Sequence, residues 1–228
     1  MTVRMGGGSM PVSQRPVALA QGAAFRVESY MDALSTAVKT VEPTDRSGKL
    51  IHVDEAIDWT AATARRVHDE GHKLIFVGNG GSAAIASHMA TDYSKNGNLR
   101  ALAMNDGSMV TCLGNDYGYD QVFAKQIEFH GHAGDLLVAI SSSGRSPNIL
   151  NAVVAARKIG CTVVTLSGFS TDNPLRAQGD LNFFVRSRFY GFVEIAHLTL
   201  CHAILDYSME TDGRGAAQGE DLAIGRRP

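Results

Sequence analysis

No apolar run in the chain approaches the roughly 18 residues needed to span a bilayer, and the first residues lack the charged-then-apolar pattern of an export signal. Charge of one sign is not in excess either. The 21 Lys and Arg face 23 Asp and Glu, a net charge of -2, which excludes broad attraction to nucleic acid or to a membrane surface. Cysteine is scarce. Cys112, Cys161 and Cys201 are odd in number, scattered and set in apolar stretches, so they read as buried reduced thiols and point to a cytoplasmic protein. Two nucleotide signatures are missing as well. No turn ends in Gly-Lys-Ser/Thr, and none has the GxGxxG spacing, so a nucleotide cofactor is not expected. There is no internal repeat.

What is present is the composition of a globular domain. The 228 residues are 44% hydrophobic and 19% charged, enough for one domain with a sizeable core. Residues 1–22, rich in Gly, Ser and Pro, and residues 211–228 read as flexible ends flanking a domain at 23–210. Val27, Met31, Leu34, Val38 and Val41 recur at helical spacing and predict a helix over about 23–42; a second is expected over 53–70. Five short apolar runs follow: Lys73–Val77, Arg100–Met104, Asp135–Ile140, Thr162–Leu166 and Leu181–Val185. They alternate with helical patterns at about 83–95, 107–113, 118–129 and 146–159, and a last helix covers 191–210. This is an α/β pattern, a doubly wound five-stranded parallel sheet with helices on both faces. Ligands in such sheets bind beyond the carboxyl ends of the strands. The residues to read most closely are therefore those just after each run.

The run DLLVAI leads into Ser141-Ser142-Ser143-Gly144-Arg145-Ser146-Pro147-Asn148 and then a helix. Hydroxyls and unpaired backbone N–H groups at a helix N-terminus suit a phosphate, and Pro147 fits the first helical turn. A plain capping turn would use the same residue types; the buried strand before it and the apolar helix after it favour the phosphate. The run KLIFV leads into Gly78-Asn79-Gly80-Gly81-Ser82. There the glycines allow close backbone approach, and Asn79 and Ser82 can hydrogen-bond sugar hydroxyls. The next helix carries His88 and Asp92, four apart and so on one face. Two metal ligands, an acid and a base, or a surface pair would all fit that spacing.

The segments FVGNGGSAAIASHMATD (76–92), LGNDYGYDQVFAKQ (113–126) and AISSSGRSPNILNA (139–152), in this order, resemble sedoheptulose-7-phosphate isomerases, also called phosphoheptose isomerases. These are single-domain SIS (sugar isomerase) proteins that supply heptose for cell-envelope glycans. The resemblance covers about residues 25–210. It implies sugar-phosphate contacts at Asn79, Gly80, Gly81, Ser82, Asn105, Asp106, Ser141, Ser142, Ser143, Ser146 and Glu194. It also implies a divalent metal, Zn²⁺ by preference with Mn²⁺ as the alternative, held by His88, Asp92, Glu194 and His202. Asp92 would be the catalytic base and His202 its partner acid or base. The family pattern has Glu where this chain has Asp92, and Gln where it has Glu194. In an unbroken helix, positions 194 and 202 lie roughly 12 Å apart along the axis, so both reach one ion only if Glu194 sits at an irregular helix start. His197 is either a substitute ligand or a helix-packing histidine. The resemblance further implies a homotetramer with sites between subunits, assembled through the long N-terminal helix, and a cytoplasmic location. The other reading is a non-catalytic SIS module that binds a phosphosugar or associates with the bacterial replication initiator, or an isomerase of a different sugar phosphate.

Overall fold

A computed structural model describes residues 26–212. The expected flexible segment 1–22 lies outside these residues, as does most of the expected tail, although residue 211 belongs to the last helix. The elements run α1 (Val27–Lys39), β1 (Glu42–Asp45), α2 (Val53–Asp69), β2 (Leu74–Gly78), α3 (Gly81–Lys95) and β3 (Ala101–Ala103). They continue with α4 (Gly107–Tyr117), α5 (Val122–His130), β4 (Leu136–Ser141), α6 (Pro147–Ile159), β5 (Thr162–Gly168), β6 (Leu181–Val185) and α7 (Tyr190–Thr211).

The strands form one sheet in the order β1-β6-β5-β4-β2-β3. The five expected strands are all parallel. Among the described residues the sheet has six strands rather than five because β1 adds antiparallel to β6. The sequence EPTD gives no apolar run to mark β1. Its position comes from tertiary contacts: Glu42 accepts hydrogen bonds from Arg176 (3.1 Å) and Arg186 Nε (2.8 Å), and Pro43 is tolerated on an edge strand.

Strands β2, β4 and β6 are buried at every position, the signature of a sheet covered on both faces. The pleat sorts their side chains by parity. Leu74, Phe76, Leu136, Val138, Ile140 and Leu166 face α3 and α7. Ile75, Val77, Leu137, Ala139 and Val163 face α5 and α6. Each fully buried large side chain contributes on the order of 1.5–3 kcal/mol. α2 offers the small residues Ala56, Thr60, Ala61 and Ala64, which let it lie close on α7. Buried Asp135 joins the strand starts: it accepts from Lys73 Nζ (2.6 Å), Lys73 N (3.0 Å) and His132 N (2.8 Å).

Two further expectations are corrected. Cys161 and Cys201 are buried, but Cys112 is exposed on α4, because its flanking apolar residues Leu113 and Val110 face inward and leave position 112 outside. The helix expected over 118–129 is split. Gly118, at φ 89°, ends α4, and a short 3-10 turn over Tyr119–Gln121 precedes α5. Among the described residues no helix is long and apolar enough to cross a membrane.

Candidate active site

From β2 the chain moves to β3 on one side and from there crosses to β4 on the other side of β2. The crevice between the carboxyl ends of β2 and β4 is thus the topological switch point where such sheets bind ligands. Both loops singled out in the sequence end there. They are tied by a reciprocal amide pair: Asn79 donates to Asn148 (2.9 Å), and Asn148 donates back to Asn79 (2.8 Å). Tyr119 Oη also donates to Asn79 (3.1 Å), and Asn151 donates to the Asp120 carbonyl (2.9 Å). The Asn-Asp-Tyr-Gly-Tyr segment therefore braces the crevice from outside. Tyr119 and Asn148 were not among the expected site residues, although both lie in segments that carry the resemblance.

The serine loop is closed by its own hydrogen bonds. Ser141 and Ser142 are buried. Ser141 Oγ accepts from Gly144 N (3.2 Å) and shares a hydrogen bond with Ser146 Oγ (3.3 Å). Ser143 Oγ accepts from Arg145 N (3.3 Å). Among the described residues Ser142 Oγ is buried with no hydrogen-bond partner. Ser146 is the N-cap of α6 but its hydroxyl makes no capping bond; Pro147 has no N–H and the Ile149 N–H is taken by the Ser146 carbonyl (3.1 Å), so the Asn148 N–H and the positive end of the dipole are what the terminus presents. Gly144 has φ 62°, a conformation that favours glycine, and a Cβ there would overlap the Asn173 side chain.

Gly80 is the N-cap of α3 at φ 54° with no side-chain cap. A side chain at Gly81 would collide with the carboxylate of Glu194, so Glu194 lies over the amino end of α3, where the dipole favours a negative charge. Ser82 is buried beneath this turn. Asn105 donates to the Ala83 carbonyl (3.0 Å) and to Ser87 Oγ (2.7 Å). Asp106 caps α4 by accepting from Met109 N (3.0 Å). Both line a groove of roughly 680 Å³ between α3 and β3.

The third group forms where α3 and α7 pack together. Asp92 Oδ2 stands 3.5 Å from His88 Nε2 and 4.0 Å from His202 Nδ1. The ligand atoms of the three residues lie within 4.8 Å of one another. The carboxylate is beyond hydrogen-bonding distance of both rings, and all three residues reach solvent, so this N/N/O donor set has room for a divalent ion. Glu194 is not part of this cluster: α7 is continuous from Tyr190, which separates 194 from 202 by about 12 Å along the axis. His197 is fully buried and its Nε2–H donates to the Ser167 carbonyl (3.1 Å), the packing role rather than a ligand's. Burial pushes its pKa down to about 4. Asp206 was not foreseen. Burial raises its pKa, the charge of His202 opposes that, and Asp92 adds to it; its place one turn beyond His202 was the available signal.

A serine-rich loop at the switch point and a His/Asp/His cluster between two helices mark the carboxyl side of this α/β sheet, and the SIS domain family model matches residues 29–168. A phosphoheptose isomerase of Citrifermentans bemidjiense is 35% identical over 157 residues, 66% of this chain and 81% of that protein. Another, of Nitratidesulfovibrio vulgaris, is 40% identical over 141 residues, 59% of this chain and 67% of the relative. The solved phosphoheptose isomerase of Neisseria gonorrhoeae superposes with a TM-score of 0.69 at 32% identity, covering 80% of this chain and 97% of that one. That of Francisella tularensis gives 0.70 at 28%, covering 81% and 96%. The chain belongs to the SIS domain family and, within it, to the phosphoheptose isomerases.

Proposed function

We propose that this protein isomerises sedoheptulose 7-phosphate to D-glycero-D-manno-heptose 7-phosphate, serving heptose biosynthesis in the cytoplasm. The observation that carries the reading is the convergence of His88, Asp92 and His202 from α3 and α7, in a domain whose serine loop leaves buried Ser142 Oγ without a partner among the described residues. The serine loop and the α6 terminus hold the phosphate, remote from the reacting carbons, and that binding energy orients the rest of the sugar. Asn79, Gly80, Gly81, Ser82, Asn105, Asp106 and Glu194 contact the sugar chain. A ketose becomes an aldose when a proton leaves C1 and returns at C2 while the hydroxyl proton moves from O1 to O2. Asp92 removes and returns the carbon-bound proton, and His202 carries the proton between the oxygens. His88, Asp92 and His202 would hold a divalent ion, Zn²⁺ by preference, which supplies Lewis-acid stabilisation of the enediolate when bound.

Assembly into a homotetramer with sites between subunits completes the reading. Val27 and Met31 on α1 and Tyr190 and Ile195 on α7 are exposed apolar side chains on two helices that pack together through Tyr30 and Phe192, a surface suited to a second copy. The test is aldose formation from sedoheptulose 7-phosphate by the wild-type protein and by Asp92→Asn, with and without chelator. Turnover lost in Asp92→Asn is expected; full turnover in that variant would remove Asp92 as the base.

A further inference from the structure

The serine loop has one cation, Arg145, and it is turned to a neighbour. Arg145 Nη2 lies 2.9 Å from Asp172 Oδ1, in the loop that follows the adjacent strand β5. The pair is open to solvent, with side chains 53% and 75% exposed. Asp172 is itself fixed in place by the Ser170 hydroxyl. The two loops touch at two other points that do not involve these charges: Leu175 N–H donates to the Gly144 carbonyl (3.1 Å), and Asn173 fills the space beside Gly144. The buried Asn173 side chain also donates to the Ser170 carbonyl (2.8 Å) and accepts from Arg176 N (3.0 Å). The loop architecture therefore does not depend on the Arg145–Asp172 pair.

Two features make that pair a poor structural strut and a good gate. An exposed ion pair contributes little to stability, so it exchanges readily. A guanidinium forms stronger paired hydrogen bonds with a phosphate dianion than with one carboxylate oxygen. The backbone of Arg145 is already pinned to the loop through its N–H on Ser143 Oγ, and it immediately precedes Ser146 at the uncapped start of α6.

We propose that Arg145 is a specificity-determining residue that leaves Asp172 for the phosphate of the substrate, Asp172 acting as a latch that holds the guanidinium aside until a dianion arrives. This rests on the serine loop being the phosphate site, as argued above. The latch makes a signed prediction. Removing the arginine removes a phosphate contact. Removing the carboxylate frees the arginine and also removes a negative charge beside the anion.

The experiment measures binding of inorganic phosphate by calorimetry to the full chain, alongside the KM for sedoheptulose 7-phosphate, for wild type, Arg145→Ala, Arg145→Lys and Asp172→Asn. Arg145→Ala should weaken phosphate binding about tenfold or more, with the change in turnover falling mainly in KM; Arg145→Lys should recover part of it. Asp172→Asn should tighten binding two- to fivefold. If the pair were only a strut, Asp172→Asn would weaken binding, and that result, or unchanged binding in either variant, overturns the latch. Phosphate binding is read without turnover. A wild type that binds phosphate but does not isomerise the sugar refutes the proposed reaction and leaves the latch to stand or fall on the variants, while a wild type that isomerises the sugar but binds no phosphate refutes the latch alone.

Discussion

Among the loop serines, Ser142 is the one whose replacement separates folding from function most sharply. Its hydroxyl is buried and has no partner among the described residues, so the unliganded protein carries the cost of a desolvated polar group, roughly 1–3 kcal/mol. Ser142→Ala removes that cost and leaves a void of one oxygen atom. The melting temperature of the unliganded protein should therefore stay level, where the void offsets the gain, or rise by up to roughly 10 °C, at about 2–4 °C per kcal/mol for a domain of this size. With phosphate bound, the same hydroxyl becomes a donor to a charged acceptor, worth about 1.5–3 kcal/mol, so the variant should bind inorganic phosphate about 10- to 150-fold more weakly. Thermal scans with and without phosphate, combined with calorimetry, read both signs in one protein. Ser141 is a control with the opposite expectation: its Oγ already holds Gly144 N and Ser146 Oγ, so Ser141→Ala should lower the melting temperature as well as the affinity. A lower melting temperature with unchanged affinity for Ser142→Ala would show that the hydroxyl serves the fold and that the phosphate lies elsewhere.

Asp135→Ala leaves the partly buried Lys73 ammonium without its carboxylate and frees two backbone N–H groups; it should cost about 3–5 kcal/mol in chemical denaturation. A thiol reagent should modify one cysteine in the native chain and three after unfolding, since only Cys112 is exposed and burial raises the thiols of Cys161 and Cys201 to about 11 and about 12; prompt labelling of two or more native thiols would contradict the packing. His197 sets a pH dependence. Its folded pKa of about 4 lies below the ordinary 6.5, so between those values the unfolded chain binds the extra proton and stability falls as pH drops, by up to about 1.4 kcal/mol per pH unit. His197→Gln, which keeps a donor for the Ser167 carbonyl, should flatten that slope relative to wild type in urea melts at pH 7, 6 and 5, and identical slopes would refute the assignment.

The five parallel strands were legible because both faces of the sheet are covered, which turns each strand into an apolar run that turn residues bound. The strand β1 was not, because an edge strand needs only backbone pairing and one anchored carboxylate, and EPTD shows neither in its composition. Exposure of Cys112 was misread for a related reason: a residue among apolar neighbours on a helix is inside or outside according to its angle, and Leu113 takes the inward place. The site divides in the same way. Residue type and position after a strand marked the Ser141–Ser146 loop and the Gly78–Ser82 turn, but the Asn79–Asn148 pair that joins them links residues 69 apart, and only the strand order brings those loops side by side. Glu194 carries the argument furthest. Spacing arithmetic left two outcomes, an irregular helix start that lets Glu194 reach the ion with His202, or a regular helix that sends it elsewhere. The helix is regular, and the carboxylate rests where Gly81 has no side chain. A carboxylate fixed at the amino end of α3 stands beside the glycine turn proposed above to contact the sugar, so under that reading the Gln-to-Glu change bears on how a sugar hydroxyl is held and leaves the N/N/O donor set of His88, Asp92 and His202 intact.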